Sequence, residues 1–471
     1  MTMASVGQKL IAFVYFLFLA RVMMPERTGV FFLVTSIITM FSVFTDLGVT
    51  SILIRETAKS PENQKEIIQR AVGLKILLTV FSVVLVFCAS FFFQYDAQVT
   101  RFIWLTMFVM VSDALTLLCY GILRGAQKLR YEATGMFLNQ LSTVGFGVVS
   151  LLISPNVFYL ILALILGSVL NLLYAIRCVA LNFGWRILIP SWNRKELVFL
   201  LKTMIPFALA GIFTKIYSSI DVLLISKLMD ATSIGIYSVA YKFTYAFQFL
   251  PLALAAGLYP SLSATVESNK DATTRTMMRS IWYLLLIVIP IVFGIWLIAP
   301  EMVGLVGDGY TESVSILRIL IFVLIPSFLE VVFGAFLNAS NKQASRMKIM
   351  GIAMLINGGV NLALIPVFGL MGAVIGSFTS FFFMILLELV LISRALPNLL
   401  SAPFFRMLAG LLASGGVMLV CGIFLKPYLH WMILIPCLAL VYFATLLATK
   451  SLQASDLNVL RSLFKKSASV V

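Results

Sequence analysis

The chain has 471 residues, of which 61% are hydrophobic and only 11% are charged, with a mean hydropathy of +1.06. Soluble domains run at roughly 45–50% apolar and about 25% charged residues, so a soluble fold is excluded. The formal net charge of +15 is carried mostly in short segments between apolar runs, which points to membrane topology and away from a nucleic-acid partner.

A spanning helix needs about 20 apolar residues. That ruler predicts helices over 5–24, 29–53, 72–94, 99–122, 133–153, 157–181, 203–226, 236–262, 281–299, 314–337, 347–366, 370–393, 404–425 and 430–449. The expected fold is all-α and integral to the membrane, with about fourteen transmembrane helices. The apolar runs lack the alternation of a β-barrel. The first run has no small-residue cleavage site and reads as a true span. Pro155-Asn156 joins the fifth and sixth helices, and Pro366 to Gly369 joins the eleventh and twelfth, so both pairs are predicted hairpins.

The cations fall on one set of connections. They include Arg55, Lys59, Lys65, Arg70 and Lys75, then Arg124, Lys128 and Arg130, then Arg186, Arg194, Lys195 and Lys202. The same side continues with Lys342, Arg346 and Lys348 and the tail Lys450, Arg461, Lys465 and Lys466. The opposite connections carry only Arg21, Arg27, Arg101, Lys227 and Lys426, and one holds Glu301, Asp308 and Glu312. Both termini are therefore expected in the cytoplasm of a multi-pass protein of the cell membrane. The longest connection, 182–202, contains Trp185 and Trp192 and reads as an interfacial connector on the cytoplasmic leaflet.

That connector divides a duplication. Ala20-Arg21-Val22-Met23 with Gly29 parallels Ser226-Lys227-Leu228-Met229 with Gly235, and Gly125 to Lys128 parallels Ala339 to Lys342. Offsets of about 206 and 214 residues fit one repeated six-helix block, both copies starting on the same side. The expected organisation is a first lobe over 1–181, the connector 182–202, a second lobe over 203–393, and two further helices with a tail over 394–471.

Several charges fall at membrane depth, where each costs at least a few kcal/mol and faces a partner or water. On the seventh and eighth helices these are Lys215, Asp221 and Lys242, with Tyr241 and Tyr245 on a polar face that also holds Tyr237 and Thr244. Asp46, Asp113, Glu330, Glu388 and Arg318 lie elsewhere at depth, Arg55 and Arg124 mark the inner ends of two helices, and Asn357 and Asn361 share a face. Two readings stand for Asp221 and Lys242: an ion pair binding two helices, or the lining of a hydrated cavity. Lys215 has no partner in its own helix and is read as a cavity cation. Glu388, near a helix end, is read as structural. Five cysteines in apolar runs without a CxxC, and a single His430, indicate no disulfide framework, metal centre or cofactor.

Arg21, Pro25-Glu26, Gly29, Asp46-Leu47-Gly48 and Arg55-Glu56 resemble the N-terminal signature of the Wzx-type polysaccharide-biosynthesis flippases of the MOP transporter superfamily. Ile220-Asp221 through Gly235-Ile236-Tyr237, Gly307 to Tyr310, Asn357 to Asn361 and Pro366 to Ala373 continue the resemblance along essentially the whole chain. It implies a non-enzymatic transporter with two six-helix lobes in a V around a central cavity, plus two C-terminal helices that help hold a polyprenyl tail. It implies a polyprenyl-(pyro)phosphate-linked oligosaccharide as cargo, moved to the outer leaflet by alternating access. On that reading Lys215, Lys242, Arg55 and Arg124 meet the pyrophosphate and Tyr241 and Tyr245 meet sugar rings. Asp46, Asp113, Asp221, Glu330 and Arg318 couple to Na⁺ or H⁺ or form gating pairs. A monomer surrounded by membrane lipids is expected. The alternatives are a cation-coupled multidrug exporter of the same superfamily, and a membrane glycosyltransferase or polymerase. The absence of a large loop with metal-binding carboxylates argues against the enzyme.

Overall fold

The computed structural model describes residues 2–191 and 194–449, and these form α-helices joined by short turns. Trp192 and the tail cations Lys450, Arg461, Lys465 and Lys466 lie outside the described residues. The helices are α1 (Thr2–Phe41), α2 (Val49–Lys59), α3 (Gln64–Phe93), α4 (Ala97–Gly125), α5 (Leu129–Ile153), α6 (Val157–Phe183), α7 (Arg194–Leu228) and α8 (Ala231–Tyr245). They continue as α9 (Phe249–Thr265), α10 (Lys270–Gly304), α11 (Ser313–Leu320), α12 (Leu324–Ala339), α13 (Gln343–Phe368), α14 (Leu370–Ala395), α15 (Ala402–Leu425) and α16 (Trp431–Ala448). Among the described residues, 11 helical segments are long and apolar enough to cross a membrane. The protein is all-α and multi-pass.

The breaks in these helices place the polar side chains. Residues 5–24 and 29–53 were predicted as two helices; α1 runs through both starts and breaks at Met24, with φ 63° and ψ 167°. The following Pro25 lacks an N–H and excludes Met24 from the helical region. A positive φ on methionine is strained. The second half of α1 ends in a 3₁₀ turn over Ser42–Thr45, and the chain then turns through Leu47 (φ 43°) and Gly48 (φ 93°) into α2. Gly48 takes this conformation because it has no Cβ. Asp46 therefore sits at a turn, not inside the predicted 29–53 helix.

The predicted helices over 236–262 and 314–337 are also divided. A 3₁₀ turn at Ala246–Gln248 separates α8 from α9, and one at Ile321–Val323 separates α11 from α12. Pro251 and Pro326 cannot donate to the carbonyls of Phe247 and Phe322 four residues back, so the preceding turn tightens. Helix α13 starts before the predicted 347, which corrects Arg346 from a loop cation to a helical residue, and Lys75, counted with the loop cations, lies about three turns inside α3. In the hairpin between α5 and α6, Asn156 accepts from the Phe158 amide at 2.9 Å. Between α13 and α14 the turn is Gly369 (φ 58°) alone, with Pro366 still inside α13.

The chain forms two compact units. The first comprises Met1–Lys242, Leu305–Ser313 and Met347–Ser380, and the second Phe243–Gly304, Val314–Arg346 and Phe381–Val471. In lipid no hydrophobic force drives helices together, so close approach at small residues carries the packing. In the first unit Gly121 faces Thr50, Gly125 faces Thr57 and Gly167 faces Thr143, beside an apolar cluster that includes Leu53, Ile68, Leu118 and Leu123. In the second, Gly415 lies against Ile289 and Phe293, and Gly422 against Leu297 and Leu438. Two turns in the segments expected to be repeats share one local geometry. Gln127 (φ 59°) and Asn341 (φ 56°) take the same left-handed turn, and in each case the next amide, of Lys128 or Lys342, bonds at 2.8 Å to the carbonyl of Leu123 or Leu337.

Candidate functional site

A cavity of about 410 Å³ opens in the first unit, within the size range of small-ligand sites. Its polar lining consists of Thr35 and Thr39 from α1, Ser42 and Thr45 from the 3₁₀ turn, Thr106 and Asp113 from α4, and Lys215 from α7. Ile38, Val109, Met110, Ala114, Leu117 and Leu164 complete it. The hydroxyls follow the helical habit of serine and threonine and donate to backbone carbonyls one turn back. Thr35 donates to Phe31 at 2.8 Å, Thr39 to Thr35 at 2.7 Å, Ser42 to Thr39 at 2.7 Å, Thr45 to Ser42 at 2.7 Å and Thr106 to Phe102 at 2.9 Å. Their protons are committed, so they offer the cavity lone pairs. Asp113 adds carboxylate oxygens, and Ser168 hydrogen-bonds that carboxylate. Among the described lining residues Lys215 is the one cation. The cavity thus suits a ligand with many hydroxyl donors and one anionic group.

Asp221 does not pair with Lys242, which corrects the ion-pair reading. The buried Asp221 carboxylate accepts from Asn361 Nδ2 at 2.6 Å, from Ser377 at 2.6 Å and from the Tyr237 hydroxyl at 3.0 Å. Asn361 also donates to Asn357 at 3.0 Å, and Asn357 to Ser380 at 3.2 Å. Residues of four helices, α7, α8, α13 and α14, meet here, and all of these residues belong to the first unit. Gly376 leaves room for the Asn361 amide, whose Oδ1 is buried without a protein donor. Oxygens from Asp221, Asn357, Asn361 and Ser377 are the donor type a hard cation takes. Clusters of three or more His, Cys, Asp or Glu are absent among the described residues. The Lys242 ammonium lies over aromatic rings instead, 5.5 Å from the Phe16 centroid and 5.6 Å from that of Phe32. Tyr241 packs beside it, 5.8 Å from Phe32 and 6.2 Å from Tyr237.

The remaining expected residues are dispersed. Asp46 pairs at 2.5 Å with Lys75, which is fully buried, and accepts from Thr50 at 2.5 Å. Lys75 was counted with the loop cations although the predicted span over 72–94 contains it; the apolar residues Val72, Leu74, Ile76, Leu77 and Leu78 around it were the available signal. Arg55 is half exposed and pairs with its neighbour Glu56 at 2.8 Å. Arg124 pairs with Glu132 across the turn from α4 to α5. Neither arginine lines the cavity. In the second unit Arg318 stacks 5.1 Å from the Trp296 ring, Glu330 pairs with Arg346, and Tyr245 ends α8.

Within the first unit the two segments expected to be repeats meet reciprocally. A Cβ on Gly29 would strike the Ala231 carbonyl, and one on Gly235 would strike the Pro25 carbonyl. The Tyr95 hydroxyl lies 2.6 Å from Ser226 Oγ, while the Tyr310 hydroxyl lies 2.9 Å from Ala20 O and 2.9 Å from Thr28 Oγ1. Lys227 donates to the Phe93 carbonyl and sits 3.6 Å from the Tyr95 ring centroid. These residues lie in, or at helix ends next to, the connections expected outside the membrane; we refer to this set of contacts as a clasp.

Residues 1–266 match the family model described as polysaccharide biosynthesis protein, and residues 206–362 match that of MatE. "Probable low-salt glycan biosynthesis flippase Agl15" of Haloferax volcanii is 24% identical over 375 residues, covering 77% of this chain and 76% of that protein. "Probable flippase AglR" of the same organism is 27% identical over 186 residues, 39% of this chain and 38% of that protein. Among solved structures, lipid II flippase MurJ in an inward closed conformation is similar at TM-score 0.74 and 13% identity, covering 94% of this chain and 97% of that one. An inward-facing multidrug resistance MATE family transporter of the MOP superfamily is similar at TM-score 0.68 and 16% identity, covering 84% and 96%.

Proposed function

From the premise that the chain belongs to the polysaccharide biosynthesis protein family, whose members are transporters and not enzymes, we propose that it is a lipid-linked glycan flippase. Its cargo is a polyprenyl-(pyro)phosphate-linked oligosaccharide, carried from the cytoplasmic to the outer leaflet by alternating access. Two six-helix lobes, residues 1–181 and 203–393, perform the movement within fourteen spans, with both termini in the cytoplasm. The observation that carries this reading is the cavity in which Lys215 stands among acceptor oxygens. The (pyro)phosphate takes a charge-assisted bond from Lys215. Sugar hydroxyls donate to Thr35, Thr39, Ser42, Thr45 and Thr106. The Asp221 cluster takes the coupling Na⁺ or H⁺, and the Tyr95 and Tyr310 clasp closes the outer end while cargo loads from inside. Tyr241 and Lys242 then act through aromatic packing on α1 and not as a pyrophosphate site.

One observation favours a second reading: Asp113 shares the cavity and would attract the organic cation of a drug exporter. Proteoliposomes separate the two. For a flippase, Lys215→Ala loses a charged hydrogen bond of about 1.5–3 kcal/mol, which lowers cargo affinity roughly 10- to 150-fold. Asp113→Asn then leaves phosphate recognition intact. For an exporter, Asp113→Asn abolishes efflux of cationic dye and Lys215→Ala spares it. Undiminished flipping of a fluorescent lipid-linked oligosaccharide by folded Lys215→Ala would overturn the cavity assignment.

A further inference from the structure

The second unit buries a cluster whose charges do not balance. Glu330 on α12 and Glu388 on α14 both face Arg346, in the first turn of α13. Glu330 takes the terminal Nη2 of the guanidinium in a direct ion pair. Glu388 is fully buried, its Oε1 lies 3.7 Å from Arg346 Nε, and no described donor bonds to either carboxylate oxygen. The arrangement has a shaped place in the fold: a Cβ on Gly334 would come within 2.5 Å of Arg346 Nη2, so glycine there makes room for the guanidinium.

With both carboxylates ionised, the cluster holds two negative charges against one positive charge, inside helices that are otherwise apolar. A buried charge without its own partner costs several kcal/mol in such a setting. The first repeat solves the same position differently. About 214 residues before Arg346 stands Glu132, which has one partner, Arg124, and the place of Glu388 is taken by Tyr174. That pair is neutral. The surplus carboxylate belongs to the second repeat alone.

We propose that the Glu330–Arg346–Glu388 cluster is a proton-binding site, with the proton resident on Glu388 while Glu330 remains ionised against Arg346. Taking up one proton at a Glu388 oxygen brings the cluster from net −1 to neutral, and releasing it restores −1. Glu388 is the acceptor because Glu330 already holds the guanidinium's terminal nitrogen. Glu330 from α12 and Arg346 from α13 are the charged groups acting on Glu388 among the described residues, and α14 itself brings none. A metal ion is disfavoured at the same point by the guanidinium. The inference does not depend on the nature of the cargo.

The test is infrared difference spectroscopy on the full-length protein in lipid nanodiscs at neutral pH. Wild type should show a protonated-carboxyl stretching band that shifts in D₂O and is missing from Glu388→Gln. Glu330→Gln leaves one carboxylate to one guanidinium, so Glu388 ionises and the same band should vanish there also. Identical carboxyl bands in wild type and Glu388→Gln overturn the proposal, as does a band that persists unchanged in Glu330→Gln. Should neither variant fold, a background with Asp113→Asn and Asp221→Asn decides, since those two carboxyls lie outside the cluster. Loss of the remaining carboxyl band on raising the pH supports the site. A spectrum of that background with no such band refutes it.

Discussion

Replacing Asp221 with alanine removes the acceptor on which three other helices converge. The variant leaves the donors of Asn361, Ser377 and Tyr237, now 2.6, 2.6 and 3.0 Å from the carboxylate, facing a gap. Hydrogen bonds between membrane helices average about 0.6 kcal/mol, so the three together contribute about 2 kcal/mol. Donors left buried without an acceptor cost about 1–3 kcal/mol each, partly recovered as the hydroxyls rotate to their own helices. We expect Asp221→Ala to lose about 2–5 kcal/mol of unfolding free energy. Steric trapping in bicelles measures it. The double mutant with Asn361→Ala should be less costly than the two singles added, since both remove one bond. Asp221→Asn with Lys242→Gln should instead add to within about 0.5 kcal/mol, because these side chains share no contact. An Asp221→Ala protein as stable as wild type, or strong coupling of Asp221 to Lys242, would refute the network.

Gly235→Val places a side chain into the Pro25 carbonyl, so the clasp cannot close. Transport should stop, and Ser226→Cys in a cysteine-free background should react faster with an impermeant thiol reagent from outside; unchanged labelling would count against a clasp. At the α7–α8 turn, Asp230 accepts from the Ser233 amide at 2.8 Å and caps α8. Hydrogen bonds from Ser233, its side chain first, hold the Asp230 carboxyl below the usual carboxylate range. The stability it adds is present above the unfolded-state value and is lost as pH falls through the lower folded value. Asp230→Ala should therefore cost about 1 kcal/mol equally at pH 6 and pH 8. A cost that changes between those two pH values would show that another group is responsible.

How much of this was legible depends on the range over which each feature is encoded. Helix existence comes from local hydropathy, and most predicted spans overlap an observed helix. The break at Met24 was legible, because Pro25-Glu26-Arg27-Thr28 ends the apolar run there, whereas the turn at Gly48 was hidden inside the run over 29–53. Lys215 and Asp113 could be placed at membrane depth by counting residues. Their shared cavity could not, because it depends on how α1 and α4 pack against α7. Asp221 was recognised as exceptional, with an ion pair to Lys242 as one of its two readings. Lys242 is near in sequence, whereas Ser377 and Asn361 lie in helices far along the chain and reach Asp221 only through tertiary packing. Counting charges in loops also misplaced Lys75 and Arg346: Arg346 lies in the polar first turn of α13, and Lys75 lies about three turns inside α3 among apolar residues.

The reciprocal contact at Gly29 and Gly235 bears on where the chain came from. Each glycine lies under a carbonyl that precedes the other by the same number of residues, Pro25 for Gly235 and Ala231 for Gly29. A contact of residue i with j, matched by j with i, is the isologous contact of a two-fold dimer. Two separate copies of one six-helix chain, side by side and parallel, would already make it. Fusion of their genes would then preserve an interface that predates the single polypeptide, while freeing each half to diverge. The unequal charge at Arg346 and Glu132 is what that freedom permits, because an ancestral homodimer carries every substitution twice.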